Sequence, residues 1–251
     1  MFAPHIWLCW ALLFVCGLGV LEMLDSFEIS GGSPARVAMY IALACAMPLS
    51  LVFGSDAALL VSFIILAGSV LTLATRARVD WDDAAAPLYI AYSTIIPAML
   101  LIQIDTVPVC GRLLFFLAFV APLAGDIIAL LVGRSIGRRK LTALSPSKTI
   151  EGAIGGLIGS VVGASIIGLI AIYLLNTKDL DWYHYILVGL SGGLFGQLGD
   201  LSASLIKRRT GIKDFGALLP GHGGIMDRLD SVLFAAYGVY VFARVLSRGG
   251  F

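Results

Sequence analysis

Apolar runs of about twenty residues constrain what this chain can fold into more than any other feature. Of the 251 residues, 59% are hydrophobic and only 13% are charged, and the apolar residues follow one another without a helical or strand period. About twenty such residues span a bilayer core as a helix, in which every backbone polar group is satisfied within the segment. The sequence therefore predicts an all-α polytopic integral membrane protein with about eight transmembrane helices, over residues 6–24, 36–53, 57–74, 84–103, 112–133, 153–175, 184–200 and 231–247.

Lysine and arginine side chains cluster in particular loops, although the net charge is only +1. In an eight-span arrangement the clusters within residues 134–148 and 207–228 fall on one side of the membrane, which the positive-inside tendency identifies as cytoplasmic. We therefore expect a bacterial inner (plasma) membrane protein with a cytoplasmic-face active site. No positively charged region precedes the first run and no small-residue cleavage site follows it, so we predict a retained span.

The character of the chain changes near its middle. Residues 1–105 consist of plain spans and short loops, with few charges inside the spans beyond Glu22 and Asp25, and we interpret them as an N-terminal transmembrane scaffold. Residues 106–251 contain Asp126 within an apolar run, a long basic loop and dense glycines, and we interpret them as a C-terminal transmembrane catalytic region. Small residues let spans approach closely, so we predict helix packing for Gly152, Gly155, Gly156, Gly159 and Gly163.

The most polar part of the chain is the 27-residue segment from Ser204 to Asp230. Together with Asp200 it carries five basic and four acidic side chains. A charge at mid-membrane costs about 2.5 to 3.5 kcal/mol on insertion scales, so function is the default explanation for such a cluster. If the seventh run continues as a helix to about Arg209, then Asp200, Ser204 and Lys207 or Arg208 share one face.

A glycine-rich loop should follow that helix, because Gly211 breaks it and residues 220–224 read PGHGG. The next helix is predicted to begin near Ile225. We predict that Asp200 and Asp227, from two helices, hold a Mg²⁺ ion that bridges phosphate oxygens. The backbone of Gly223 and Gly224 would be free to meet a ligand. Side chains that could neutralise a polyphosphate are Lys207, Arg208, Lys213 and Arg228.

Two local readings stay open. His222 is either a hydrogen-bond donor that stabilises its loop or a contact to phosphate. In the segment SPSKTIEG, Ser147 or Thr149 could cap the following helix with Glu151 in its first turns. Lys148, between these hydroxyls, could instead hold a phosphate or a nucleotide near that helix terminus, although the segment lacks the spacing of a Walker loop. For any single Asp or Lys, pairing within a cytoplasmic loop is the simpler explanation.

The segment Ser204 to Asp230 resembles the signature of the phosphatidate cytidylyltransferases, also named CDP-diacylglycerol synthases. The likeness rests on Ser204, Lys207, Arg208, Lys213, Asp214, His222, Gly223, Gly224, Asp227, Arg228 and Asp230 in the family's order and spacing. Asp200 and the SPSKTIEG loop are also similar to the family's. The likeness covers roughly the carboxyl-terminal half of the chain.

This resemblance implies transfer of a cytidylyl group from CTP to phosphatidate within the membrane, with release of pyrophosphate. It further implies Mg²⁺, a companion K⁺ ion and a homodimer built by the carboxyl-terminal spans; we predict no nucleic-acid partner. Carried over by position, the catalytic set is Asp200, His222, Lys213, Asp227 and Arg228, with Asp200 and Asp227 on the metal. The nucleotide-binding set is Ser147, Lys148, Thr149, Glu151, Ser204, Lys207, Arg208, Gly223 and Gly224.

The chain also departs from the family's pattern. Asp126 is followed by apolar residues where the family has a hydroxyl and then an aromatic side chain, so Asp126 is either structural or nucleotide-facing. A basic entry segment is lacking near the amino terminus. These departures leave open a relative that acts on another lipid phosphate. Two further alternatives are a CTP-dependent polyprenol or phytol kinase, which would release free CDP, and a secondary transporter, whose site should lie near the midplane.

Overall fold

The protein is helical throughout the part that the structure describes. The computed structural model describes residues 3–29, 33–75, 82–108, 110–142, 145, 147–174, 176, 180–218 and 223–247. The helices are α1 (Ala3–Ser26), α2 (Pro34–Phe53), α3 (Ala57–Thr75), α4 (Asp82–Ile90), α5 (Ile96–Asp105), α6 (Gly111–Ile136), α7 (Ile150–Tyr173), α8 (Trp182–Thr210) and α9 (Met226–Ser247). In these described residues there is no β-strand, and an isolated bridge pairs Lys140 with Thr149.

All eight predicted runs form helices, which confirms the all-α polytopic class. Seven described segments are long and apolar enough to cross a membrane, and the corresponding part of α2 is shorter, Pro34–Ala46. The third of these seven segments, Ala85–Asp105, combines α4, a π-helical turn at Ala91–Ile95 and α5. The π turn buries the hydroxyl groups of Ser93 and Thr94, which donate weak hydrogen bonds to the sulfur atom of Met23.

The chain divides into two compact units. The first contains Met1–Gln103 and Arg209–Leu229, and the second contains Ile104–Arg208 and Asp230–Phe251. The polar segment is therefore split, because residues 209–229 group with the amino-terminal helices. The division predicted at residue 105 concerns function, with a scaffold before it and a catalytic region after it. It stays a prediction.

In the first unit, local hydrogen bonds determine where α1 ends and α2 begins. The Ser33 side chain accepts a hydrogen bond from Arg36 N at 3.2 Å, and Pro34 occupies the first turn, where its missing N–H costs nothing. The Arg36 guanidinium pairs with Asp25 at 2.9 Å and donates to the Ile29 carbonyl at 2.7 Å. These contacts hold the first turn of α2 to the end of α1.

In the second unit, α7 packs along α6 through its glycine face. A Cβ atom at Gly159 would lie 2.6 Å from the Ile128 Cβ, and one at Gly155 would lie 2.8 Å from a Val132 methyl group. Side chains other than hydrogen do not fit at such separations, so the predicted helix-packing role of these glycines is confirmed. Helix α8 also packs closely on α6 at a glycine, since Gly196 lies against Pro122.

Candidate functional site

The end of α8 positions the first group of predicted site residues, all in the second unit. The helix runs to Thr210, and Gly211 follows with a φ of 73°, a left-handed conformation that favours glycine after a helix. Both features agree with the sequence prediction. Asp200, Ser204 and Lys207 are half-buried, whereas Arg208 is exposed. The three half-buried residues recur at helical spacing and so lie on one face of α8.

An ion pair joins the two motifs of the second unit. The Lys148 ammonium contacts the Asp200 carboxylate, and the two side chains are 26% and 36% exposed. An ion pair this accessible contributes only about 0 to 1 kcal/mol to stability. A stronger partner for either group, a divalent cation or a phosphate, could therefore replace it.

The segment around Lys148 is held by its neighbours in the chain. Thr149 is buried and caps α7 by accepting a hydrogen bond from Gly152 N at 3.1 Å, so the capping reading is confirmed for Thr149. Ser147 is exposed. The Glu151 carboxylate accepts hydrogen bonds from the backbone N–H groups of Arg138 and Arg139 at 3.1 and 3.3 Å. Glu151 therefore stabilises the preceding basic loop.

Two further carboxylates accompany Asp200. Asp230, in α9, accepts a hydrogen bond from Ser231 N at 2.6 Å, and Asp126, in α6, accepts one from the Ser231 hydroxyl at 3.1 Å. Asp126, Asp200 and Asp230 are close enough for their charges to interact, and Lys148 and Lys207 offset part of that charge. With three carboxyl groups against two ammonium groups, this carboxylate cluster is an arrangement that a bound cation would stabilise.

In the first unit, Asp227 closes the loop that precedes α9. Its Oδ2 atom accepts hydrogen bonds from Phe215 N at 3.0 Å and from Gly224 N at 2.8 Å. Gly223 has a φ of 80°, and a Cβ atom there would lie 3.0 Å from the same oxygen. One carboxylate thus ties both ends of the loop together, a structural role that the sequence did not suggest.

Glu22 of α1 is the side chain whose importance the sequence analysis missed. Its carboxylate accepts hydrogen bonds from Ile225 N at 3.0 Å and Met226 N at 3.1 Å, at the start of α9. The prediction that the backbone of the glycine-rich loop is free to meet a ligand is wrong for Gly224, whose N–H donates to Asp227. The available signal was an acidic residue inside an apolar run, which is an expensive placement.

Three further predicted residues of the first unit are accessible. Lys213, Asp214 and Arg228 are exposed, and His222 lies outside the described residues. The Arg228 backbone N–H donates to the Ile225 carbonyl at 3.0 Å, within the first turn of α9. The phosphate contacts predicted for these side chains stay predictions.

The donor set fits Mg²⁺ in its chemistry. Among the residues that the structure describes, no three His, Cys, Asp or Glu side chains are arranged to hold a metal ion by themselves. Mg²⁺ that binds with a nucleotide usually needs only one or two protein carboxylates, because phosphates and waters complete its shell. The Asp200 carboxylate, which already pairs with a cation, suits that role. Asp200 and Asp227 belong to different compact units, and their convergence on one ion stays a prediction.

The fold and the charged cluster together define a polytopic membrane protein with a polar site built on its carboxyl-terminal helices. The chain belongs to the cytidylyltransferase family, whose model matches residues 1–246.

Several curated relatives carry one name. A segment of 140 residues is 41% identical to the phosphatidate cytidylyltransferase of Synechocystis, covering 54% of this chain and 45% of that protein. The phosphatidate cytidylyltransferase of Bacillus subtilis is 40% identical over 147 residues, which are 58% of this chain and 53% of that protein. The chloroplastic phosphatidate cytidylyltransferase 5 of Arabidopsis thaliana is 40% identical over 139 residues, 54% of this chain and 33% of that protein. The chain spans about half the length, or less, of the curated relatives it matches.

Proposed function

We propose that this protein transfers the cytidylyl group of CTP to phosphatidate, forming CDP-diacylglycerol and pyrophosphate for phospholipid biosynthesis. The observation that carries the proposal is the pairing of Lys148 with Asp200 beside Asp126 and Asp230. It gives one site both a cation for phosphate and carboxyl groups for a metal ion. Membership of the cytidylyltransferase family and the printed names of the relatives support the nucleotide and the lipid acceptor.

The reaction needs little acid–base chemistry from the protein. A phosphate oxygen of phosphatidate attacks the α-phosphorus of CTP, and the bond from that phosphorus to the oxygen bridging to the β-phosphorus breaks. The electron pair leaves with pyrophosphate. Because the attacking phosphate is already an anion, positioning and charge neutralisation are the main tasks. Lys148, Lys207, Arg208, Lys213 and Arg228 are the side chains proposed to neutralise the phosphates.

Mg²⁺ is part of the proposal, with Asp200 and Asp227 as the side chains that would hold it. When bound, the ion would neutralise phosphate charge and orient the leaving group. Lys148 would exchange Asp200 for a phosphate oxygen when the nucleotide arrives, and the weakness of the exposed ion pair supports that exchange. A companion K⁺ ion, predicted from the family resemblance alone, would add to this neutralisation.

The setting of the reaction is also part of the proposal. The basic clusters at residues 134–148 and 207–228 favour a cytoplasmic active site in a bacterial inner membrane. The phosphate of phosphatidate would reach the site from the inner leaflet while its acyl chains stay among the spans. We further propose a homodimer, which the family resemblance implies.

Position-specific labelling of CTP tests the proposed reaction. Purified protein in mixed micelles would be given Mg²⁺, phosphatidate and CTP labelled at either the α- or the γ-phosphorus. We expect the α-label in the lipid product and the γ-label in pyrophosphate. A γ-label in lipid together with free CDP would instead identify a kinase, for which a polyprenol is the matched acceptor. No conversion of CTP with any lipid phosphate would refute the enzyme proposal.

A further inference from the structure

We propose that Glu22, in the first transmembrane helix, is a positioning residue for the loop that carries the proposed nucleotide and metal contacts. This inference rests on the proposed function. It assigns a task to the amino-terminal region, which the sequence suggested was plain scaffold. Glu22 acts through the loop of residues 215–226 and the start of α9, which places Asp227.

Three hydrogen bonds attach this loop to the last turns of α1. The Glu22 carboxylate accepts from Ile225 N at 3.0 Å and from Met226 N at 3.1 Å. One turn further along α1, the Ser26 hydroxyl lies 3.0 Å from the Phe215 carbonyl oxygen and 2.8 Å from the Glu22 carbonyl oxygen, and its single hydrogen is shared between these two acceptors. The two contacts hold the loop at both ends, and the segment between them contains the GHGG sequence.

Glycine at two loop positions allows the Glu22 side chain to lie this close. A Cβ atom at Gly216 would lie 2.5 Å from the Glu22 Oε1 atom, and a Cβ atom at Gly224 would also collide with the carboxylate. Neither glycine has a left-handed backbone that would itself require glycine. Their small size is therefore explained by the approach of Glu22.

The contact also supplies an anion at the start of α9. The first N–H groups of a helix lack intrahelical partners and carry partial positive charge, so a carboxylate there forms charge-assisted hydrogen bonds. Glu22 takes Ile225 N and Met226 N, while Asp227 takes Gly224 N. The N–H groups of Gly224, Ile225 and Met226 are thus satisfied within the protein. A triphosphate at this helix terminus would therefore have to be held by other groups.

Glu22 could either position the loop or merely anchor the first span, and the two roles predict different effects when Glu22 is replaced. A span anchor would change only the amount of folded protein, and the remaining molecules would keep their kinetic constants. A positioning residue changes how well the loop is ordered around its ligands. Its loss would raise the KM for CTP and the Mg²⁺ concentration that gives half-maximal activity, while the KM for phosphatidate would change less.

Hydrogen exchange on the unliganded protein tests the contact directly. In Glu22→Ala we expect the backbone amides of Ile225 and Met226 to exchange at least about 10-fold faster, since their acceptor is lost. Glu22→Gln keeps one acceptor oxygen and should fall between Glu22→Ala and the parent protein. Asp25→Asn is the matched control, because Asp25 lies on the same helix end but pairs with Arg36. Unchanged exchange in both Glu22 variants would overturn the proposed contact.

Steady-state kinetics then test the positioning role. We expect Glu22→Ala to raise the KM for CTP and the Mg²⁺ requirement at least about 5-fold, with partial rescue in Glu22→Gln and no change in Asp25→Asn. A fall in kcat alone, with both constants unchanged, would overturn the role. If the parent protein converts no CTP, the proposed function fails, and hydrogen exchange still decides whether Glu22 holds the loop.

Discussion

Lys148, just before α7, and Asp200, in α8, form an ion pair between a loop and a helix that are far apart in the sequence. Each residue had been assigned separately, Lys148 to a phosphate and Asp200 to a metal ion. If both assignments hold, ligand binding would replace this ion pair with one contact to a phosphate and one to a metal ion. The Lys148 ammonium and the Asp200 carboxylate would each have a partner of opposite charge both before and after ligand binding. The free-energy cost of the exchange would therefore be low.

Lys148→Ala tests this exchange. Without the ammonium group, a charge-assisted contact to phosphate is lost, which is worth about 1.5 to 3 kcal/mol. We expect the KM for CTP to rise at least about 10-fold, with partial recovery in Lys148→Arg. Initial rates at varied CTP concentrations provide the measurement. Lys140→Ala, in the same exposed basic loop, is the control, and an equal effect of both alanine variants would point to general charge loss.

Asp227→Asn separates charge from loop closure. Asparagine keeps a carbonyl oxygen that can accept the hydrogen bonds from Phe215 N and Gly224 N, but it removes the negative charge. We expect a folded, membrane-inserted protein whose Mg²⁺-dependent kcat/KM is at least about 100-fold lower. Asp227→Ala should also destabilise the loop. Substantial activity in Asp227→Asn would remove this residue from the metal site.

Lys213→Ala tests a side chain that is exposed in the first unit. As a proposed neutraliser of triphosphate charge, Lys213 should matter for turnover or nucleotide binding, and we expect kcat/KM for CTP to fall at least about 10-fold. Melting temperature in detergent should stay the same, because the side chain is not part of the core. Kinetic constants equal to those of the parent protein would mean that Lys213 is a solvated loop side chain without a role in the reaction.

Gly159→Ala tests the packing of α7 on α6. The added Cβ would lie 2.6 Å from Ile128, so the helices must separate, at a cost of about 1 to 3 kcal/mol. We expect a lower melting temperature in detergent, with little change in the KM of the protein that remains folded. Ile158→Ala, on the exposed face of the same helix, serves as the control. A stable Gly159→Ala protein would argue against a tight interface.

The helices could be predicted because their signal is local. Each apolar run by itself indicates a span. With α8 assumed to continue to about Arg209, helical spacing places Asp200, Ser204 and Lys207 on one face. The start of α9 at Met226 lies one residue from the predicted position. Thr149 was one of two proposed caps, and the structure selects it over Ser147.

The pairings across the chain could not be predicted in the same way. Glu22 and Ile225 are 203 positions apart, and no spacing rule connects an acid in one span with the backbone of a distant loop. The glycines of the loop suggested amides open to a ligand, yet such amides equally suit a carboxylate of the same protein. Composition gives the kind of group that a loop can bind, and only the tertiary structure gives the partner.

The two faces of α7 differ in how well they tolerate substitution. Along α6, residues such as Gly155 and Gly159 leave no room for even a methyl group. The outward residues Ile154, Ile158, Val162 and Ile166 are each about half exposed or more. Over evolution, substitutions should therefore accumulate on the outward face of α7, where one aliphatic residue can replace another. The face that packs on α6 should change little.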